Sequence, residues 1–233
     1  MKTLLFIAAF SIAATIASGQ TSGTISNIDQ MPGWKSCGSC AGKGGVGPNT
    51  PRSLIQHVAS PSMDGSAMKV SIAGKKAFSA ALWWKQLGAK PSATHFVYDV
   101  SFYLQNPSAA QSLEFDANQS LNGKKYIFGT QCNVRGSHQW DIYSASKHWL
   151  RSGIGCSLPT AYKWHHLTWE FQRVGTSVKF VSVTYDGKKH YINKTYAAKP
   201  GGARELNIAV QLDGNRTHTA YSMWVDKASL KYW

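Results

Sequence analysis

From about residue 68 onward the chain alternates apolar and polar positions with a period of two. In the run His95 to Leu104, Phe96, Tyr98, Val100, Phe102 and Leu104 share one side, and His95, Asp99, Ser101 and Tyr103 share the other. Leu113, Phe115 and Ala117 alternate with Glu114, Asp116 and Asn118. Tyr126, Phe128 and Thr130 alternate with Ile127, Gly129 and Gln131, and Leu167, Trp169 and Phe171 with His166, Thr168, Glu170 and Gln172. Leu206, Ile208, Val210 and Leu212 alternate with Asn207, Ala209, Gln211 and Asp213. Successive side chains of a strand point to opposite faces, so each run predicts a half-buried strand with its apolar set inward. A slip of one residue would bury the carboxylates and expose the apolar set, which fixes the faces.

Turn signals separate the runs. Asn122-Gly123 precedes Lys124 as a turn, Asp186-Gly187 joins two β-rich segments as a hairpin, and Pro200-Gly201-Gly202 and Asp213-Gly214-Asn215 mark further turns. No window beyond the first residues carries a helical period. Many short strands with one apolar face bury it by packing sheet on sheet. The expected fold is therefore all-β, a two-sheet antiparallel sandwich.

The chain begins differently. Lys2, the apolar run Leu4 to Ile16 and the small residues Ala17-Ser18-Gly19 form a signal peptide over 1–19, and the run is shorter than the roughly 20 apolar residues of a membrane span. Residues 20–60, rich in Gly, Ser, Asn and Pro, read as an N-terminal arm, leaving 61–233 as the sandwich domain. A leader implies a secreted, extracellular or periplasmic protein, where the four cysteines can oxidise. Four cysteines allow three pairings. The local pair Cys37–Cys40 with Cys132–Cys156 is favoured, the second stapling one long connection. The formal charge of +14 is carried by scattered lysines, without a nucleic-acid-binding motif. It reads as a solvated basic surface or as attraction to an acidic polysaccharide or cell-surface glycan, with no nucleic acid as partner.

Three segments carry a resemblance. Met223-Trp224-Val225-Asp226-Lys227-Ala228-Ser229-Leu230-Lys231-Tyr232 resembles the last strand of laminin-G-like and family-16 glucanase-like jelly rolls. Trp164-His165-His166-Leu167-Thr168 resembles a strand of laminin-G-like domains, and Tyr185-Asp186-Gly187 the hairpin that follows it. With the Leu113 to Asn118 strand they cover most of 60–233, in the order of the concanavalin A-like lectin/glucanase superfamily. The chain is also similar to small secreted soil-bacterial proteins with a comparable Cys-x-x-Cys arm. The resemblance implies a jelly roll that meets carbohydrate, as a lectin or as a glycoside hydrolase or polysaccharide lyase.

Glu114-Phe115-Asp116-Ala117-Asn118 is similar to the Glu-x-Asp-x-Glu strand of family-16 glycosidases. That likeness implies Glu114 as nucleophile and Asp116 as its assistant. It puts Asn118, or Gln119 if the spacing is one longer, where the acid/base carboxyl belongs, and an amide cannot fill that role. Glu170, Asp213 and Asp141 are other carboxylates that would have to supply it. Sugar binding asks for less: planar hydrogen-bonding groups and an aromatic wall. Asn118, Gln131, Asn133, Asn207 and Gln211 supply the first, and Trp140 and Tyr103 the second. Glu114, Asp116, Asn118 and Gln211 are expected to line one cleft. Gln131-Cys132-Asn133 resembles the Gln-x-His strand of alginate lyases of this fold, with Asn in place of the His. Adjacent His165 and His166 point to opposite strand faces and cannot chelate together. Related jelly rolls often bind calcium through an Asp at the start of the last strand. That likeness implies Asp226, assisted by Asp64, as calcium ligands, against a turn-stabilising role for both. Asn118, Asn193 and Asn215 head glycosylation sequons, of consequence only in a eukaryotic source.

Overall fold

The computed structural model describes residues 21–41 and 49–233; the leader lies outside them. Among the described residues, seventeen strands form two antiparallel sheets, with two short 3-10 turns at Ile28–Gln30 and Pro107–Ala109. In chain order the strands are β1 (Gly23–Ile25), β2 (Lys35–Cys37), β3 (Arg52–Val58), β4 (Ala67–Ile72), β5 (Ala80–Gln86) and β6 (His95–Leu104). Then follow β7 (Ala110–Leu121), β8 (Lys124–Phe128), β9 (Thr130–Cys132), β10 (Gln139–Ser144), β11 (His148–Gly155) and β12 (Trp164–Val174). The last are β13 (Ser177–Tyr185), β14 (Lys188–Ala197), β15 (Lys199–Pro200), β16 (Glu205–Gly214) and β17 (Tyr221–Tyr232). Sheet A runs β14-β13-β12-β6-β17-β4-β3, with β1 on β17. Sheet B runs β11-β10-β9-β7-β16-β5-β2, with β8 on β7 and β15 on β8.

The apolar side of each alternating run faces the other sheet. Phe115, Leu113, Val210 and Trp83 of sheet B meet Phe102, Val100, Trp169 and Phe171 of sheet A in one closed core. Aromatic contacts cross it: Phe102 lies 5.0 Å from Phe115, and Phe128 5.0 Å from Phe171, between ring centroids. The expected hairpin forms at Asp186-Gly187, with φ of 46° and 82°, and the turn at Asn122-Gly123 is a second one, with φ of 51° and 69°. Positive φ at both turn residues is the type I′ geometry that matches strand twist.

The segment read as an arm is woven into the sandwich. It supplies β1 to the β17 edge, β2 to the edge of sheet B and β3 to the edge of sheet A. Strands of three residues are too short to show a period, which hid β1 and β2. Both disulfides form with the favoured pairing, at Cα separations of 5.7 Å for Cys37–Cys40 and 5.6 Å for Cys132–Cys156. No described helix is long and apolar enough to cross a membrane.

One break in sheet B positions the site. Beside β7, strand β8 hands over to β9 at Gly129, where an added Cβ would stand 2.9 Å from Tyr143 Cβ. Thr130 N–H has left the β7 ladder there and donates instead to Asp116 Oδ1, at 2.8 Å.

Candidate functional site

Strands β7 and β16 pair over almost their whole length, so the polar sides of both meet on the outer face of sheet B. Glu114 lies opposite Gln211, Asp116 opposite Ala209, Asn118 opposite Asn207, and Ser112 opposite Asp213. On the other flank Glu114 faces Gln131, which faces Asp141. Sequence parity thus brings Glu114, Asp116, Asn118, Gln131, Asn207 and Gln211 onto one face.

That face has a sealed half and an open half. In the sealed half Glu114 is 7% exposed, Gln211 5%, Asp213 8% and Gln131 6%. The Gln211 amide donates to Glu114 Oε1 at 2.7 Å and to Asp213 Oδ1 at 3.0 Å, and Ser112 Oγ donates to Asp213 Oδ2 at 2.7 Å. Asp141 accepts from Gln131, Asn133 and Ser137. No Lys or Arg pairs with any of these carboxyls among the described residues. Burial therefore pushes the Glu114 carboxyl well up, reinforced by the charges of Asp213 and Asp116 and by a hydrogen bond to Asp213. Burial raises Asp213 too, against the hydrogen bonds from Ser112, Glu114 and Gln211. Asp116 is pushed up to about 7, by burial first and by the Asp213 charge, while the Thr130 N–H pulls the other way. A raised carboxyl favours its protonated form, which donates a hydrogen bond and is a poorer nucleophile than the carboxylate.

The open half is a cavity of about 290 Å³. Asp116, Asn118 and Asn207 lie in its lining with Trp84, Lys125, Tyr126 and Glu205. Asn118 Nδ2 donates to Asn207 Oδ1 at 3.2 Å, and Asn207 Nδ2 to Glu205 Oε1 at 3.3 Å. Asn118 Oδ1 has no partner among the described residues. The cavity is displaced along the strands from the expected cleft: Asp116, Asn118 and Asn207 border it, whereas Glu114, Gln211 and Gln131 lie in the sealed half. Asn133 sits in the turn after β9, accepting from Gly136 N–H at 2.9 Å, away from the cavity.

Both expected aromatic walls are elsewhere. Trp140 is 1% exposed and packs edge-on against Trp169 in the core, because β10 turns Asp141 rather than Trp140 to the outer face. Tyr103 is on the outer face of sheet A, beside Trp164 and Trp224. The aromatics that border the cavity are Trp84 and the largely buried Tyr126, and Trp84 is the more exposed of the two. Its neighbour Trp83 is fully buried, so the pair Trp83-Trp84 spans the two faces of β5. Two adjacent tryptophans were the available signal, since one of them had to face outward. Glu170 is on the outer face of sheet A, where it accepts from Ser182 and Lys189, and cannot reach Glu114. The histidines divide as parity required: His165 is buried and bonded to Asp186, and His166 is exposed and bonded to Asp99.

No family model and no curated protein matches the chain in sequence. Solved structures do match. An endo-β-1,4-glucuronan lyase from the fungus Trichoderma reesei superposes with a TM-score of 0.53 at 12% identity, over 88% of this chain and 94% of that one. The cellulose induced protein Cip1 gives 0.52 at 14% identity, over 88% and 96%. Arcelin-5, a lectin-like defence protein from Phaseolus vulgaris, gives 0.55 at 11% identity, over 91% and 99%. The fold is a concanavalin A-like jelly roll.

In this jelly roll the last-strand Asp226 is fully buried and holds the loop before β4. Its Oδ2 accepts from Ser62 Oγ at 2.8 Å and Met63 N–H at 2.6 Å, and its Oδ1 from Lys227 N–H at 2.8 Å. Asp64 Oδ1 accepts from Ser66 N–H at 3.1 Å within the same loop. These are turn-stabilising roles, and no group of three potential ligands is arranged to hold a metal among the described residues. Sequence reading missed Asp29, fully buried nearby. Its Oδ1 accepts from Ala228 N–H at 2.8 Å, its Oδ2 has no described partner, and burial pushes it up to about 6. Of the sequon asparagines, Asn118 borders the cavity and Asn215 is 8% exposed, its side chain spent on Ser108 and Thr217.

Proposed function

We propose that the protein is a secreted glycan-binding protein that takes a polysaccharide in the cavity over sheet B. One observation carries the reading: an open cavity whose border combines an indole, Trp84, with the amides of Asn118 and Asn207. Sugars offer an apolar ring face to the first and paired hydroxyls to the second, and sites that orient ligands combine apolar walls with a few placed polar groups. The names of similar structures, a glucuronan lyase and a lectin-like protein, run in the same direction. A paired, turn-holding Asp226 leaves calcium a poor place between Asp226 and Asp64. Asp29 Oδ2 has no described partner but is buried, so a cation would reach it only if the surrounding chain opened.

A second reading, an enzyme acting on polysaccharide, draws on Asp116. A carboxyl raised to about 7 beside a cavity is poised to donate and accept a proton. Its partner is what weighs against hydrolysis. Glu205, the other carboxylate at the cavity, pairs with Ser120, whereas Asp116 pairs with Ala209. At about 3.3 Å per residue the two are roughly 13 Å apart along the strands. Paired glycosidase carboxyls stand about 5 to 9.5 Å apart.

A glycan array on the mature protein, run beside a reducing-sugar release assay, tests both. Binding that weakens about tenfold or more in Trp84→Ala and Asn118→Ala, without turnover, is the expected result. Turnover that disappears in Asp116→Asn transfers the site to the enzyme reading, and an array without a single glycan bound removes both.

A further inference from the structure

Beyond the sealed carboxyls, at the other end of β7 and β16, lies a second recess of about 430 Å³. It borders the place where the pairing of the two strands shifts between Asp213 and Gly214. Phe78, Gln111, Arg135, Asn215, Arg216 and Thr217 line it. Two guanidinium groups thus share one recess in a chain where Lys and Arg outnumber Asp and Glu by 25 to 11. Neither arginine forms an ion pair among the described residues.

The recess is held in shape by bonds that leave the cations free. Asn215 Nδ2 donates to Ser108 O at 2.7 Å, and its Oδ1 accepts from Thr217 N–H at 2.8 Å and Oγ1 at 2.6 Å. Arg216, between these two anchored residues, makes no side-chain hydrogen bond among the described residues. Arg135 is steadied by one bond, Nη2 to Ser108 O at 2.9 Å. Phe78 N–H donates to Asn215 O at 3.1 Å with φ at 55°, and its ring is 55% exposed. A bulky residue in the left-handed region is costly, and such cost is often met where a side chain is aimed at a ligand.

We infer that this recess is a subsite for the carboxylate of a uronic-acid sugar, gripped by Arg135 and Arg216, with the sugar ring against Phe78. A planar guanidinium fork matches a carboxylate, and the exposed phenyl beside it asks for an apolar ring face attached to the anion, which inorganic phosphate lacks. The inference deepens the cavity reading, since it makes the bound glycan a polyuronide that reaches from the cavity, over the sealed half, to the recess. From Asn207 to Asn215 the strand path is roughly 26 Å at about 3.3 Å per residue, long enough for several sugar units.

The test is calorimetric titration of six-unit oligoglucuronate, oligogalacturonate and oligomannuronate, their methyl esters, and cellohexaose. At least one uronate hexamer binds, its methyl ester binds at least tenfold more weakly, and Arg216→Gln and Phe78→Ala each reproduce that loss. Arg216→Gln removes no described hydrogen bond, so its melting temperature stays at the wild-type value. The proposal is overturned if no uronate binds, if acid and ester bind alike, if inorganic phosphate displaces the hexamer as readily as a second uronate does, or if Arg216→Gln is inert. The two readings fail separately. Cellohexaose binding that is lost in Trp84→Ala while Arg216→Gln does nothing keeps the cavity and removes this subsite. Uronate binding lost in Arg216→Gln and untouched by Trp84→Ala does the reverse.

Discussion

The outer faces of the two sheets carry the same residue types at the same strand parity, and their electrostatics are opposite. On sheet B, Glu114, Asp116 and Asp213 are raised, burial being the first cause in each. On sheet A, Glu170 is lowered: burial is the largest single influence and raises it, but the hydrogen bonds from Ser182 and Lys189 and the charges of Lys189 and His95 together outweigh it. Asp186 at the β13–β14 turn is lowered in the same manner: burial raises it, and the His166 N–H, His165 and the Lys163 charge together outweigh burial. A carboxylate on a polar strand face is therefore not yet a site. Coverage and the identity of its neighbours decide whether it is an ordinary surface charge or a proton-holding group, and sheet B surrounds its carboxyls with amides and hydroxyls in place of cations.

This contrast predicts opposite pH responses. A carboxyl raised in the folded state contributes stability below its unfolded value and loses it as pH rises through the folded one. For Asp116 the window runs from 3.8 to about 7. That displacement corresponds to something on the order of 4 kcal/mol at roughly 1.4 kcal/mol per unit. Thermal melts should therefore show the wild type losing stability from pH 4 to pH 8, and Asp116→Asn, which can still accept from Thr130 N–H, losing distinctly less. An identical loss in both proteins would break the contrast.

Asp29 sharpens it, because it is bonded to β17 of sheet A yet is buried without a cation beside it. Raised from 3.8 to about 6, it costs about 3 kcal/mol once ionised. Asp29→Asn should match the wild type near pH 4 and melt higher at pH 8. If millimolar calcium cancels that advantage by stabilising only the wild type, the oxygen is a cation ligand after all. The smallest effect belongs to sheet A. Glu170→Gln should cost less than about 1 kcal/mol at neutral pH, as an exposed pair does, and the cost should shrink in high salt. Its sign is reversed: this stability is present above the unfolded value and lost as pH falls through the lowered one.

Face assignment was legible because period two is strict in β6, β7, β12 and β16, and the apolar side of each is in the core. Three things were not. The register that sets Glu114 against Gln211 joins residues 97 apart, and alternation within a strand says nothing about its neighbour. Coverage was invisible too: parity places Glu114 outward, and only the folded chain shows that outward is also sealed. The aromatic wall failed for a third reason. In Gln139 to Ser144 the inward set includes Trp140, and the indole that does border the cavity stands in Ala80 to Gln86, where Leu82 and Trp84 make the outer side as apolar as the inner one.

The place of β17 has a consequence for how the chain folds in time. Tyr221–Tyr232 is made last among the strands, yet it lies between β6 and β4 in the middle of sheet A, and it also receives β1, with Gly23 against Tyr232. Until it arrives, β14-β13-β12-β6 and β4-β3 are separate ribbons, each with an unpaired inner edge. Closing contacts of such long sequence separation is slow. A chain crossing a membrane in sequence order would thus stay loose until its final strand is through, and collapse into the sandwich only then.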